Sequence, residues 1–203
     1  MSIKAIVFDI GGVLEITPDL GLDAKWEGKL NMERGQLNKR LGDVWRDGSI
    51  GAISIENVHT RIGEIMSWSE EQVNEFMDDI WREYLGTLNV ELVEYFRSLR
   101  PKYQTAIISN SFVGAREKEA EHYQFDTFCD FIIYSHEVGL RKPDPRIFKL
   151  ACERLGLQPH EVIFVDDHKE VYASAQEMGM HCIEFKDNAQ VIADIEACIA
   201  STM

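Results

Sequence analysis

The sequence predicts an α/β fold in which a parallel β-sheet is covered by helices on both faces. Five apolar runs have the length of strands, and helical patterns separate most of them. Continuous apolar runs are typical of strands buried on both faces, and strand–helix alternation is typical of parallel sheets. With 203 residues, 45% of them hydrophobic, the chain can bury such a core without disulfides. The five runs are residues 4–9, 105–109, 131–134, 162–166 and 181–185.

The helices that separate these runs show apolar residues at helical spacing. One of them precedes the second run and has an apolar stripe from Leu92 to Leu99. The next begins at Asp144-Pro145, where the aspartate suits a cap and the proline suits the first turn, and it ends at Gly156. A further helix follows the fourth run and ends at Gly179.

A helical insert interrupts this alternation after the first strand. About ninety residues separate the first two runs, and most of them have a helical pattern. Ser69 and Gln72 form a capping box that begins one of its helices, and a further pair is predicted near residues 22–30 and 33–45. The predicted division is residues 16–87 for the helical subdomain, and residues 1–15 with 88–203 for the core.

The charge balance limits the classes of partner. The chain has 35 acidic and 21 basic residues, so its formal net charge is −14. Such a chain lacks the basic surface with which proteins bind nucleic acids and anionic membranes. A small anionic substrate is still compatible with this charge, because a metal ion and one lysine can reverse the local field.

The sequence contains no membrane or export signal that we recognise. No apolar stretch reaches the length of a membrane helix, and the first residues do not resemble a secretory signal. The four cysteines form no Cys-x-x-Cys pair, so we expect free thiols rather than a disulfide or zinc site. We therefore expect a cytoplasmic protein that binds neither membrane nor nucleic acid. Nothing in the pattern predicts an oligomeric state.

Polar side chains follow four of the predicted strands. Because ligands of open parallel sheets bind beyond the carboxyl ends of the strands, we expect these side chains to form one site. They are Asp9, Ser109, Asn110, Lys142, Asp166 and Asp167. Carboxylates placed close together repel one another, and a hard cation such as Mg²⁺ removes that repulsion.

The chemistry of this set favours phosphoryl transfer. Asp9 and Asp167 are the expected side-chain ligands of Mg²⁺, and the glycines after Asp9 allow a backbone carbonyl to serve as a third. Lys142 would offset the charge of a phosphoryl group, and Ser109 would donate a hydrogen bond to it. A carboxylate beside a metal and a lysine can attack phosphorus, so Asp9 and Lys142 are the candidate catalytic residues.

These residues resemble the four motifs of the haloacid dehalogenase superfamily, in the same order. The first motif, Asp-x-Asp-x-Thr/Val, resembles residues 9–13, which read Asp-Ile-Gly-Gly-Val. The second is a Ser or Thr that ends the next strand, here Ser109 followed by Asn110. The third is a lysine, here Lys142 in Arg-Lys-Pro-Asp-Pro, and the fourth is an acidic pair, here Asp166-Asp167.

The resemblance implies a Rossmann-like core with strand order 5-4-1-2-3 and a helical cap of the C1 type. It also implies Mg²⁺ held by Asp9, the backbone carbonyl of Gly11 and Asp167, with Asp9 as the nucleophile. Asp166 is expected outside the direct ligands or as an orienting partner of Lys142. Asn110 is either a substrate contact or a turn residue. Among the members of the superfamily, the chain resembles small sugar-phosphate phosphatases.

One position departs from the pattern of these phosphatases. They carry a second aspartate two residues after the nucleophile, which protonates the leaving alcohol and then activates water. This chain has Gly11 there, which has no proton to donate. General acid–base catalysis contributes about 10²–10⁴-fold, so the replacement is important. The candidate substitutes are Glu15, His168, Asp47 or a water molecule ordered by the substrate.

Three functions follow from these residues. The first is a Mg²⁺-dependent phosphatase of a small phosphorylated metabolite that forms an aspartyl phosphate on Asp9. The second is a hydrolase of carbon–halogen bonds, which needs no metal and therefore no Asp166-Asp167 pair. The third, suggested by Gly11, is a protein that binds a phosphorylated ligand and turns it over poorly.

Overall fold

The computed structural model describes residues 2–202. Within them the chain forms these elements in order: β1 (Ala5–Phe8), β2 (Glu15–Ile16), α1 (Leu22–Lys29), α2 (Gln36–Ser49), α3 (Ile55–Met66), α4 (Glu70–Leu85), β3 (Thr87–Leu88), α5 (Val90–Ser98), β4 (Gln104–Ser109), α6 (Ala115–His122), β5 (Phe131–Tyr134), α7 (Ser135–Val138), α8 (Pro145–Leu155), β6 (Val162–Asp166), α9 (Lys169–Glu177), β7 (His181–Glu184) and α10 (Asn188–Thr202). None of these helices combines the length and hydropathy that crossing a bilayer requires.

Five strands form one parallel sheet in the order β5-β4-β1-β6-β7. They are the five predicted strands, and the α/β class is confirmed. When the five are numbered among themselves and read from β7, their order is 5-4-1-2-3, as the resemblance implies. β1 lies in the middle between β4 and β6. The residues that follow these three strands therefore meet at the centre of one sheet edge.

Alternate side chains of the sheet pack into cores on its two faces. Phe8 of β1 packs in a cluster with Phe96 of α5 and Ile195 of α10. Its neighbour Val7 points into a second cluster, which contains Phe148 of α8. Successive side chains of a strand point to opposite faces, so helices on both sides are needed to bury this sheet.

The four helices α1–α4 lie between β2 and β3, which pair as a short antiparallel ribbon. They enclose a third cluster that includes Trp26, Leu41 and Phe76. The predicted capping box is present, because Ser69 Oγ accepts from the Gln72 amide and the Gln72 side chain accepts from the Ser69 amide. The helix expected at residues 33–45 is α2, which begins at Gln36 and ends at Ser49, so both of its bounds lie later in the chain than expected.

The end of α2 packs against loops that follow the sheet strands. Ser135 Oγ donates a hydrogen bond to the carbonyl oxygen of Ser49 at 2.8 Å, and the Val113 amide donates to that of Gly48 at 3.2 Å. A Cβ at Gly48 would lie 2.2 Å from a ring carbon of Phe112. Glycine is therefore required for this close approach between α2 and the loop after β4.

Several elements have no counterpart in the sequence-based prediction. The ribbon strands β2 and β3 have two residues each, too few to show a period. α6 has the sequence Ala-Arg-Glu-Lys-Glu-Ala-Glu-His and shows no apolar stripe. It buries Glu119 rather than a row of apolar residues, so hydrophobic periodicity cannot detect it.

Candidate active site

The residues that the sequence predicts for catalysis, substrate binding and metal binding all lie on one cavity of about 670 Å³, at the carboxyl ends of the central strands. The helical insert also contributes to this cavity, because Tyr84 of α4 lies on its wall. The predicted residues on the cavity wall are Asp9, Gly11, Ser109, Asn110, Lys142, Asp166 and Asp167. Their roles in catalysis and binding stay predictions.

Lys142 forms the charged centre of the site. Its Nζ lies 2.7 Å from Asp9 Oδ1 and 2.6 Å from Asp166 Oδ2, and the residue is only 2% exposed. Burial favours the neutral amine, but the charges of Asp9 and Asp166 outweigh it and raise the pKa of Lys142. The lysine is therefore held as an ammonium ion between two carboxylates. Its contact with Asp166 is compatible with the expectation that Asp166 is an orienting partner of Lys142.

Asp9 directly follows β1 and faces this ammonium group. Its Oδ1 also accepts a hydrogen bond of 2.7 Å from the Ile10 amide. Burial raises the pKa of Asp9, the ammonium of Lys142 opposes the rise, and the charge of Asp166 adds to it. A further positive charge at the site would therefore favour the ionised, nucleophilic form.

Asn110 fixes the loop that carries Lys142. Its Nδ2 donates to the Lys142 carbonyl at 2.9 Å, and its Oδ1 accepts from the Lys142 amide at 2.7 Å. This pair of bonds joins the end of β4 to the loop before α8. The side chain has a structural partner, and it also lies on the cavity wall.

The acidic pair lies against the glycines that follow Asp9. A Cβ at Gly12 would lie 2.4 Å from Asp167 Oδ2, and Gly12 has a φ of 75°, so a side chain is excluded there. Asp167 Oδ1 also lies 2.6 Å from Nδ1 of His168, whose pKa is raised by that bond. Asp166 Oδ1 accepts from the His168 amide at 2.9 Å.

The three proposed substitutes for the missing aspartate lie in different places. Glu15 and His168 are on the cavity wall. A Cβ at Gly11 would lie 4.0 Å from Glu15 Oε2, so Glu15 is close to the space that a side chain at residue 11 would enter. Asp47 is held by ion pairs with Arg46 and Arg61 in the helical insert and does not line the cavity. The expectation that Asp47 substitutes is therefore wrong.

The sequence did not point to an acidic and phenolic cluster at the cavity, whose Tyr84 and Glu119 lie on a part of the cavity surface that we call the inner wall. Glu119 of α6 accepts hydrogen bonds from Tyr84 at 3.1 Å and from Tyr134 at 2.7 Å. Burial raises the pKa of Glu119 to about 7, against these bonds, and the charges of Glu15 and Asp9 add to the rise. Three distant segments meet here, and no local pattern connects them.

The donors around the cavity suit a hard divalent cation. Asp9 and Asp166 both contact the ammonium of Lys142, and the Asp167 carboxylate lies on the same cavity wall, so these three carboxylates outnumber the lysine. Ligand atoms of Asp166, Asp167 and His168 lie within 4.8 Å of one another, whereas Asp9 faces Lys142. Carboxylate and carbonyl oxygens are the ligands that Mg²⁺ prefers, so the residues present fit that ion.

Comparisons with known proteins agree with this geometry. A family model for haloacid dehalogenase-like hydrolases matches residues 3–179. Bifunctional epoxide hydrolase 2 of Sus scrofa is 26% identical over 97% of this chain, which spans 39% of that protein's length. D-ribitol-5-phosphate phosphatase of Bacteroides thetaiotaomicron is 24% identical over 92% of this chain and 94% of its own.

The solved structures with similar folds include enzymes of the same family. A haloacid dehalogenase family enzyme of Bacteroides thetaiotaomicron, in complex with magnesium and inorganic phosphate, superposes with a TM-score of 0.79. It is 23% identical and covers 93% of this chain and 98% of its own. At this level of identity the similarity concerns the fold.

Proposed function

The chain belongs to the haloacid dehalogenase-like hydrolases, and from this premise we propose that it is a Mg²⁺-dependent phosphatase of a small phosphorylated metabolite. The observation that supports this most is the buried Lys142 ammonium between Asp9 and Asp166, at the sheet edge where Ser109 and Asp167 also lie. A buried ammonium beside a nucleophilic carboxylate stabilises the negative charge of a phosphoryl group. The similarity to a ribitol-phosphate phosphatase over most of both chains supports the same reaction.

In this proposal the phosphoryl group is held by the end of β4 and by the loop before α8. Lys142 Nζ and the Ser109 hydroxyl donate to its oxygens, while Asn110 keeps the lysine loop in place. Asp9, the Gly11 carbonyl and Asp167 would hold Mg²⁺. The ion, when bound, would offset the charges of the carboxylates and of the phosphoryl oxygens and would favour the ionised form of Asp9.

The reaction then has two steps that share Asp9. In the first, an Asp9 oxygen attacks phosphorus and the phosphorus–oxygen bond to the alcohol breaks, so that the alcohol leaves with the bonding pair and takes a proton. In the second, water attacks the same phosphorus, Asp9 leaves as a carboxylate, and inorganic phosphate forms with loss of one proton. Catalysis consists mainly of positioning and charge stabilisation.

The proton for the alcohol needs a donor, because Gly11 has no side chain. Glu15 is our candidate on geometry, because its Oε2 lies near the space that a residue-11 side chain would enter. The Thr17 hydroxyl donates to the same oxygen at 2.7 Å and orients the carboxyl group. The other carboxyl oxygen of Glu15, Oε1, accepts no well-formed hydrogen bond from any residue between 2 and 202.

We also propose that residues 16–87 act as a cap over this site. The helices α1–α4 have a core of their own and are joined to the sheet domain through the β2–β3 ribbon. Tyr84 of α4 lies on the cavity wall, so the insert contributes directly to the space where a substrate binds. A cap that closes over the site would exclude water and favour small substrates.

The proposal is tested by the hydrolysis of p-nitrophenyl phosphate with and without Mg²⁺. Wild type and Asp126→Asn should show the same Mg²⁺-dependent turnover, because Asp126 is exposed and lies outside the cavity. Asp9→Asn should lose at least about 10³-fold, since the nucleophile is removed. Hydrolysis that does not depend on Mg²⁺ or Asp9 would overturn the proposal. Release of halide from a 2-haloacid without metal would favour the dehalogenase.

A further inference from the structure

A second cavity, which we call the aromatic cleft, opens directly beside the active site. It has a volume of about 450 Å³ and lies between the helices α2 and α4 of the insert and the loop after β4. Tyr84, Asn110 and Arg141 line both this cleft and the active-site cavity. The two spaces therefore adjoin at these three residues.

Most of the wall surface of the aromatic cleft is apolar, and its rings pack against one another. Trp45 and Phe112 have ring centroids 5.7 Å apart, and Trp81 lies 5.3 Å from Tyr84 and 6.4 Å from Phe112. Gly48 allows α2 to approach Phe112 closely, which keeps this ring against the insert. Rings packed at these distances form a rigid apolar surface that binds another apolar group without much ordering cost.

The charges around the cleft differ from those of the inner wall. No carboxylate from residues 2–202 lines the cleft, although the whole chain carries 35 acidic residues. The inner wall, by contrast, presents the carboxyl groups of Glu15 and Glu119, both of which are 1% exposed. An alcohol group that leaves the phosphate site therefore finds open apolar space on the side of the cleft, and buried acids on the other.

Arg141 marks the junction of the two cavities. It is exposed, directly precedes Lys142, and forms no ion pair within residues 2–202. The other arginine of the cleft, Arg46, is paired with Asp43 and Asp47. The unpaired positive charge of the cleft therefore lies where the cleft adjoins the active-site cavity. The charge of Arg46, by contrast, is balanced by its carboxylate partners.

We propose that the aromatic cleft binds the alcohol part of the substrate, and that the preferred substrates are phosphate monoesters of alcohols with an apolar or aromatic group. This inference rests on the proposed phosphatase function and adds the substrate class to it. An apolar group that moves from water into such a cleft contributes binding that an ethyl or glycerol group cannot.

The test compares alkyl phosphates whose alcohols have similar acidity. Ethyl phosphate and 2-phenylethyl phosphate both release a primary alkanol, so a difference in kcat/KM reports binding of the ring rather than the quality of the leaving group. We expect kcat/KM with Mg²⁺ to be at least about tenfold higher for 2-phenylethyl phosphate. Equal values for the two esters would overturn the inference and would leave the phosphatase function standing.

Gly42 offers a way to fill the cleft without a clash. It lies on the cleft wall within α2, and a Cβ there would meet no atom within 4 Å. Gly42→Leu should lower kcat/KM for 2-phenylethyl phosphate at least about tenfold more than it lowers that for ethyl phosphate. Gly28→Leu is the matched control, because Gly28 is an exposed glycine of α1 with equally open space.

Binding of phosphonates keeps the inference testable if no ester is hydrolysed. Their carbon–phosphorus bond is stable, so calorimetry in the presence of Mg²⁺ measures binding without hydrolysis. The difference in affinity between 2-phenylethylphosphonate and ethylphosphonate then reports how the phenyl group is bound. Tighter binding of the phenyl compound that is lost in Gly42→Leu, but kept in Gly28→Leu, would support the cleft even if the phosphatase function failed. Equal binding of the two compounds, or an equal effect of both leucine variants, would overturn the inference.

Discussion

At the scale of single residues, Lys142 illustrates how burial and function are combined. Its ammonium is covered almost completely and lies within 2.7 Å of two carboxylates. The free-energy cost of desolvating a buried charge is offset only when its oppositely charged partners are in place. Removing the lysine would leave Asp166, which is 0% exposed, without its counter-ion.

We expect Lys142→Met to lose both stability and activity. The free energy of unfolding should fall by about 3–5 kcal/mol, the usual cost of leaving one member of a buried ion pair unpaired. Lys149→Met is the control, because Lys149 is exposed and its distance to Glu153 is 3.8 Å, so its loss should cost less than about 1 kcal/mol. Urea denaturation of both variants measures the difference, and equal stabilities would contradict this account of Lys142.

A second prediction at this scale concerns Glu15. If Glu15 supplies the proton that Gly11 cannot, Glu15→Gln should slow the hydrolysis of ethyl phosphate by about 10²-fold or more. Formation of p-nitrophenol from p-nitrophenyl phosphate should change much less, because that leaving group needs little protonation. The ratio of the two effects in stopped-flow assays separates an acid from a structural residue. Equal losses for both esters would indicate that Glu15 only supports the fold.

The residues that could be predicted are those that end strands. Asp9, Ser109 and Asp167 follow apolar runs directly, so their shared location follows from sheet geometry. Glu119 could not be predicted, because it lies in a charged helix and meets Tyr84 only in three dimensions. Asp47 was placed wrongly, because a sequence does not show which carboxylates of an insert are already held by arginines.

At the scale of elements, α2 connects the insert to the sheet domain. Its carboxyl end packs on the loop after β4 through Gly48, and Gly42 lies about one and two-thirds turns earlier on the cleft wall. These two glycines of one helix have different environments. A side chain at Gly48 would meet the Phe112 ring, whereas a side chain at Gly42 would enter open space.

We therefore expect alanine to have opposite effects at these two positions. Gly42→Ala should raise the free energy of unfolding by up to about 1 kcal/mol, because alanine favours the helix. Gly48→Ala should lower it by about 1–3 kcal/mol, because Phe112 must move to accommodate the new methyl group. Thermal unfolding of the two variants provides the comparison. A stabilising Gly48→Ala would show that α2 does not depend on this contact.

The elements that could be predicted have a clear apolar period or clear caps. The strands of the sheet and the helix beginning at Asp144-Pro145 are examples, since the Asp144 side chain accepts from the Arg146 amide as expected. The β2–β3 ribbon could not be predicted because its strands are two residues long. The bounds of α2 shifted because Gly35, with a φ of 82°, begins the helix in place of a polar cap residue.

At the scale of the whole molecule, the buried acids couple stability to pH. Burial raises the pKa of Glu119 from its ordinary value of 4.5 to about 7. The folded state therefore binds a proton between these values that the unfolded state has released. The contribution of Glu119 to the free energy of unfolding should fall by up to about 3 kcal/mol as pH rises from about 4.5 to about 7, and should level off above.

Glu119→Gln should remove this contribution, because a neutral amide has no proton to lose. Relative to wild type, the variant should gain stability as pH rises from about 5 to about 8. Glu121→Gln is the control, since Glu121 is exposed on the same helix. Tyr84, Tyr134, Glu15 and Asp9 face Glu119 and stay unchanged in both variants. Denaturation curves at the two pH values decide, and a parallel pH dependence of wild type and Glu119→Gln would contradict the prediction.

The order of the sheet could be predicted from the resemblance of four motifs to one family, and the general class from the alternation of runs alone. What could not be predicted is the space between the parts. The aromatic cleft forms from α2, α4 and the loop after β4, and these are distant in sequence. Cavities depend on how surfaces meet, which no local pattern encodes.

The central claim is that Asp9 attacks phosphorus, and trapping the phosphorylated enzyme tests it most directly. Wild type is mixed with p-nitrophenyl phosphate and Mg²⁺, quenched in acid within one turnover, and analysed by peptide mass spectrometry. Because the quench stops the reaction between its two steps, we expect phosphate to reside on Asp9. Release of p-nitrophenol by Asp9→Asn at the wild-type rate, with phosphate on another residue or on none, would contradict the account.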